Sequence, residues 1–138
     1  MGDRRQSREL ALQALFFVDM NPSKDFQADL DAFCRENETL LTPGVRPFFL
    51  DLVQGVHENF QEIDQLLKAY SRKWKISRMP AVDRNVMRIA AFELLKHLDI
   101  PPSVTINEAV DIVKKYGSRE SGPFVNGILD QIRLFLDR

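Results

Sequence analysis

Between positions 80 and 98 the apolar residues fall on two adjoining seams of a helical wheel. Val82, Val86 and Ile89 form one seam; Met87, Ala90, Ala91, Leu94 and Leu98 form the other. A surface helix needs one apolar stripe, so two stripes predict a buried central helix with the other helices packed around it. Glu93 falls on the apolar arc. A carboxylate there must be hydrogen-bonded or paired, because burying it alone is expensive. A structural bond across helices is its expected role, ahead of general acid–base work. Arg84 and Arg88 lie one turn apart on the polar side.

The same period runs through the rest of the chain. Asp3 with Gln6 fits a capped helix start, followed by Leu10, Ala11, Ala14, Leu15 and Val18 on one face and by Asn21-Pro22-Ser23 as a stop. Phe26, Leu30, Phe33 and Cys34 predict a second helix within 25–37. After the Thr42-Pro43-Gly44 turn, Val45, Phe48, Phe49, Leu52, Val53 and Val56 make a stripe running to Phe60. Gly55 inside it predicts a close helix approach. Ile63, Leu66, Leu67 and Tyr70 make a shorter helix, and 71–79 is a basic link holding Trp74. Ile100-Pro101-Pro102 ends the central helix. Ser103 is placed to cap the next, which buries Ile106, Ala109, Val110 and Val113 and stops at Tyr116-Gly117. Positions 118–122 read as a loop, and Pro123 opens a last helix with Val125, Ile128, Leu129, Ile132 and Phe135 inward. No stretch sustains the period of two that marks a strand. The prediction is an all-α bundle of about seven helices joined by short links.

At 138 residues, 44% hydrophobic and 28% charged, the chain suffices for one domain with a real core. Net charge is −1, so bulk charge does not announce a nucleic-acid binder. Its distribution says more. From 68 to 88 seven cations oppose Asp83 alone, whereas from 19 to 62 nine acids oppose three cations. The expectation is a positive face and a negative face. Cys34 is the sole cysteine, which rules out an intrachain disulfide. The start lacks an apolar signal core and no run reaches membrane-spanning length, so the expected location is the cytoplasm.

Enzyme chemistry finds little support. His57 and His97 are far apart and neither sits in a metal-binding spacing; no GxGxxG, P-loop or GxSxG occurs. Gly117, Gly122 and Gly127 are spread over two helix ends instead of forming a phosphate loop. The expectation is a non-enzyme with neither metal nor cofactor. Arg4, Arg5 and Arg8, by contrast, crowd the first turns of a helix, where cations oppose the macrodipole. An external polyanion would explain them, since arginine donates to phosphate as a planar fork. The loop residues Ser118, Arg119, Glu120 and Ser121 precede Phe124 at a helix start. Backbone N–H groups there can meet phosphate, and an exposed ring can stack on an unpaired base. Single-stranded RNA is the ligand that fits this pairing.

RRQSRELALQALF at 4–16, VDRNVMRIAAFEL at 82–94 and IPPSVTINEAVDIVKKYGSRESGPFVNGILD at 100–130 then carry a resemblance. Together with Trp74 and Arg78 they cover the chain nearly end to end. The sequence resembles the NusB family of bacterial transcription antitermination factors. The resemblance implies two three-helix bundles sharing a long buried central helix, about 1–79 and about 80–138, within one RNA-binding domain. It implies binding of boxA-type RNA of nascent ribosomal RNA transcripts together with ribosomal protein NusE. The complex would join NusA, NusG and RNA polymerase to support processive antitermination, and a homodimer masking the RNA site is compatible with it. By position it assigns RNA contacts to Arg4, Arg5, Arg8, Ser118, Arg119, Glu120, Ser121 and Phe124, and the NusE interface to Phe16 and Asp83. Asn107, Glu108 and Asn126 belong to its signature, either as links between helices or as ligand contacts. Gln6 and Ser7 thin the arginine run, and Pro123 stands where a polar residue is more usual. The alternatives are a protein-only helical adaptor and a free-standing RNA-targeting module related to the N-terminal domain of ribosomal RNA cytosine methyltransferases.

Overall fold

The structure, a computed structural model, describes residues 2–21, 23–71 and 74–138. Among these the chain forms seven α-helices, one 3-10 turn and no strand. The helices are α1 (Asp3–Met20), α2 (Phe26–Glu36), α3 (Arg46–Glu58), α4 (Phe60–Tyr70), α5 (Ala81–Lys96), α6 (Pro102–Tyr116) and α7 (Ser121–Phe135), with the 3-10 turn at Ile76–Arg78 ahead of α5. None of the described helices is long and apolar enough to cross a membrane.

α5 is the axis. It packs against α1, α3, α4, α6 and α7, and 11 of its 16 residues are buried. α1 groups with α2 and α3, and α7 with α4 and α6, so α5 is shared between two sets of three. The expected seams are buried except at their ends: Val82 is partly exposed, and Leu98 lies beyond the His97 C-cap, 69% exposed. Phe92, in neither seam, is buried as well. Its ring fills the space over Gly55 of α3, where any Cβ would collide with it. That is the close approach the glycine predicts.

The polar side of α5 is not a solvent face. Arg88 is buried and forks onto Asp64 of α4 through two bonds of 2.9 Å, with its guanidinium 4.5 Å from the Phe60 ring. Arg84 donates to Asp19 at the end of α1 at 2.7 Å, and Asn85 donates to the same oxygen at 3.1 Å. Cations of the basic stretch therefore meet an acid of the acidic stretch, and the expected division into two faces gives way to cross-helix pairing. Arg72 and Lys73 of that stretch lie outside the described residues, as does Pro22 of the expected α1 stop.

Several element ends differ from the sequence reading. Asp25 caps α2 by accepting from the Ala28 N–H at 3.1 Å. Asp3 is already inside α1 with Gly2 at the cap, and Ser103 is inside α6, which starts at Pro102. α7 starts at Ser121, two residues before Pro123. A first-turn N–H has no helical acceptor, so proline is tolerated anywhere in that turn and does not mark the start uniquely. Phe135, expected inward, is 64% exposed and tilts against Tyr70 with ring centroids 5.9 Å apart. Leu12 and Ile112, absent from the expected stripes, are in the core.

Glu93 is the most enclosed charge. Arg8 of α1 forks onto it with bonds of 2.8 and 2.7 Å, and Thr105 of α6 adds a third at 3.0 Å. Three helices are thereby joined at a site where both charged side chains are at most 4% exposed. Removing one member strands the other, which typically costs about 3–5 kcal/mol. Arg8→Ala is accordingly expected to lower unfolding free energy by that amount in urea titration. Gly55→Ala forces the Phe92 ring to move, an overpacking loss of about 1–3 kcal/mol; adding Phe92→Leu is expected to recover part of it in a double-mutant cycle.

Candidate nucleic-acid interface

The three arginines of α1 have three different surroundings. Arg8 is 3% exposed and faces inward, onto Glu93 and, at 3.0 Å, Glu108. This corrects its expected role as an RNA contact: internal carboxylates account for its place near the helix start. Arg5 is at the rim, its side chain 20% exposed, bonded to Glu108 at 2.9 Å through Nε and to Asp111 at 2.9 Å through Nη2. The Arg5 bond holds the Glu108 carboxyl below its ordinary range even though burial works against it. Glu108 of the INEAV segment thus links helices. Arg4 alone is open to solvent, resting 4.7 Å from the Phe48 ring centroid.

α6 lies alongside α1 and carries the cluster onward. Burial works to raise the Glu9 carboxyl, but bonds from Lys115 (2.8 Å) and the Tyr116 hydroxyl (2.7 Å) outweigh it and hold the group low. Lys115 keeps 56% of its side chain exposed, and Lys114 beside it is exposed too. These two lysines and Tyr116 extend the polar strip, and the sequence reading missed them. The available signal was two adjacent cations in the last helical turn directly before a loop already singled out.

The loop is held by Ser121. Its Oγ accepts from the Ser118 N–H at 3.1 Å and donates to Asp83 Oδ1 at 2.8 Å. A Cβ at Gly117 would stand 2.9 Å from that hydroxyl and 3.1 Å from that carboxylate oxygen, so glycine keeps the pair intact. Ser118, Arg119 and Glu120 are exposed; Ser121 is buried and therefore positions the loop instead of offering itself to a ligand. The α7 start is a poor phosphate seat: the Ser121 N–H is bonded to the Ser118 carbonyl, Pro123 has none, and Gly122 is buried. Phe124 is partly buried against the core with its remaining surface in a cleft of about 360 Å³. Trp74, Met79, Asp83 and Glu120 line the same cleft.

Asp83 is 4% exposed, which leaves it little surface to present to a protein partner. Burial pushes its carboxyl up, and the Ser121 bond offsets only part of that. Phe16 is 39% exposed, together with Phe17 and Met20 on the last turns of α1. The histidines have packing roles: His57 stacks on Phe26 at 3.7 Å, and His97 meets the edges of Phe48 and Phe92 while bonded to Asp51. Among the described residues no group of three or more His, Cys, Asp or Glu side chains could hold a metal ion.

Comparison with known proteins matches this geometry to one family. The model of the NusB family matches residues 5–133. The chain is 54% identical to the transcription antitermination protein NusB of Desulforapulum autotrophicum over 97% of its length and 93% of that protein. It is 42% identical to that of Myxococcus xanthus over 100% and 99%. Among solved structures it resembles T. maritima NusB at 40% identity with a TM-score of 0.84, covering 95% of this chain and 90% of that one. It also resembles a chain from a crystal structure of the antitermination factors NusB and NusE in complex with dsRNA, at 25% identity with a TM-score of 0.85, covering 96% and 97%. The chain belongs to the NusB family, a family of transcription antitermination factors and not of enzymes.

Proposed function

We propose that the protein is an antitermination factor that binds boxA-type single-stranded RNA of nascent ribosomal RNA transcripts together with ribosomal protein NusE. In the bacterial cytoplasm it would act with NusA, NusG and RNA polymerase to keep transcription processive. Family membership supports the reading, and the likeness to a chain from a structure of NusB and NusE with dsRNA supports RNA and NusE as its partners. The observation that carries it is the open strip at the end of α6 and the start of α7. There Lys115, Ser118, Arg119 and Glu120 are exposed, and Ser118 and Glu120 line the cleft onto which the partly open Phe124 faces. Cations take the phosphates and the ring takes a base. Arg4 and the rim of Arg5 extend the strip along α1, while Arg8 and Ser121 hold the frame beneath it. Phe16, Phe17 and Met20 form an exposed apolar patch, which we assign to the face NusE covers.

Fluorescence anisotropy with boxA-type RNA and purified NusE across a salt series tests this. Arg4→Ala with Arg119→Ala is expected to weaken binding and to flatten the salt dependence by about 0.7 in log–log slope for each phosphate no longer neutralised. Melting temperature should not change, because neither side chain is buried. Phe124→Leu, which keeps apolar packing but removes the ring, is expected to lose about 1–3 kcal/mol of binding free energy. Variants that bind like the parent at every salt concentration would overturn the assignment and favour a protein-only adaptor.

A further inference from the structure

Arg5 is held by two carboxylates that are not equally fixed. Glu108 takes one edge of the guanidinium: Nε donates to Oε1 at 2.9 Å, and Nη2 donates to Oε2. Glu108 also accepts from Arg8 at 3.0 Å, and its side chain is 21% exposed. Asp111, one turn further along α6, accepts from Nη2 as well, at 2.9 Å, with 57% of its side chain exposed. Both N–H groups of Nη2 are thus spent. Nη1 and Nη2 together form the end of the guanidinium on which a phosphate sits as a fork, and Asp111 occupies half of that end. Its bond is not needed to aim the arginine, because the two bonds to Glu108 already set the plane of the group. The carboxylate on Lys115 is placed differently. Glu9 is 5% exposed and tied to Tyr116 besides, so it stays where it is. Asp111 stands largely in solvent, where an ion pair competes with water and is weak.

We propose that Asp111 withholds Arg5 from RNA: in the free protein its carboxylate stands in the place of a phosphate, and the transcript engages this arginine only by displacing it. The inference rests on the RNA-binding reading given above and adds to it how the α1 end of the strip is restrained. Two effects of Asp111 oppose each other. Holding Arg5 still would lower the entropy lost on binding, but Glu108 supplies that already. Against RNA, the bond at Nη2 must break, and the displaced carboxylate is left beside an arriving anion that it repels. The net effect is a weakening. Because the bond is exposed, the exchange stays cheap for a transcript that also meets Arg4 and Arg119. An isolated anion with no other contact does not recover even that cost. The exchange also changes the response to salt. A phosphate that reaches Arg5 releases a counterion, while the freed Asp111 carboxylate attracts one, so Arg5 adds little to the salt dependence of binding as long as Asp111 is charged.

The test is RNA anisotropy across a salt series with the full chain and NusE, using boxA-type single-stranded RNA as the probe. Asp111→Asn keeps an oxygen for Nη2 but removes the charge. It is expected to tighten binding by about three- to fivefold at low salt, the usual worth of one exposed ion pair, and to steepen the log–log salt slope by up to about 0.7. Asp31→Asn, an exposed acid on α2, changes the net charge equally and is expected to leave binding unaltered. Arg5→Gln retains the stem and leaves Glu108 bonded to Arg8; in that background Asp111→Asn is expected to bring no gain, which a double-mutant cycle reads directly. Folding of every variant is checked by its melting curve. Equal affinities of the parent and Asp111→Asn overturn the restraint while leaving the RNA reading in place. So does a gain that persists in Arg5→Gln or recurs in Asp31→Asn, since the charge then acts without the arginine. Weaker binding by Asp111→Asn makes the carboxylate an aid to Arg5 and overturns it too. Failure of the parent to bind RNA at any salt concentration overturns both readings.

Discussion

The structure depends on one buried ion pair. Two charges enclosed in a helical bundle are expensive to desolvate, and the cost is offset only when geometry is good and every lone pair is satisfied. Arg8 and Glu93 meet that condition through a two-bond fork, with Thr105 closing one side and Glu108 the other. Apolar side chains could hold α1, α5 and α6 together in several registers, since burial is non-directional. A planar fork has one. Fixing Arg8 sets the rotation of α1 about its axis, which puts Arg5 at the rim and Arg4 in solvent. The same rotation brings Glu9 to the end of α6, where Lys115 and Tyr116 bond to it. The position of the outer strip thus follows from the inner pair.

Much of the fold was legible because helical periodicity is a local signal. The double seam of 80–98 marked α5 as central, and Gly55 announced its own close neighbour, though Phe92 as that neighbour was not readable from spacing. Glu93 was readable as a paired carboxylate, since an acid on an apolar arc has few other options. Its partner was not, because Arg8 lies 85 positions away and only the packed bundle brings the two together. The errors cluster at element ends and on polar sides. Caps at Asp3 and Ser103 follow residue preference, whereas Gly2 takes the cap of α1 and Pro102 in the first turn of α6 moves its start ahead of Ser103. Leu98 and Phe135 sit where the period says inward, but Leu98 lies beyond the end of its own helix and Phe135 reaches only Tyr70, the last residue of α4.

The charge partners of the expected site were not legible in the sequence. Three arginines opposing a helix dipole do need a counter-charge, and the sequence argument looked for it outside. For Arg8 and Arg5 it is inside, supplied by Glu93, Glu108 and Asp111 from helices that the linear sequence keeps far away. The same holds for Arg84 and Arg88, which face Asp19 and Asp64. Charge runs read along a chain cannot distinguish a solvated patch from half of a cross-helix pair. The loop at 118–120 is exposed as expected, since the exposure of polar residues beside a helix start is a local property. Ser121, expected as an RNA contact, and Asp83, expected at the NusE interface, are buried and bonded to each other.

Internal pairing changes the electrostatics of the proposed RNA complex. With Arg8 removed from the surface and Arg5 shared with two carboxylates, few cations of the strip remain free to release counterions from a phosphate chain. The net charge of −1 adds no long-range attraction. A surface of that kind grips non-specific RNA weakly. Binding on the proposed reading then leans on short-range interactions such as stacking on the Phe124 ring. On the proposed reading the remaining affinity comes from a partner that adds cationic surface beside the strip, with the exposed apolar patch at the end of α1 as its place to dock. Weak electrostatics in the isolated chain and dependence on a second protein are, on this reading, two consequences of the same buried fork.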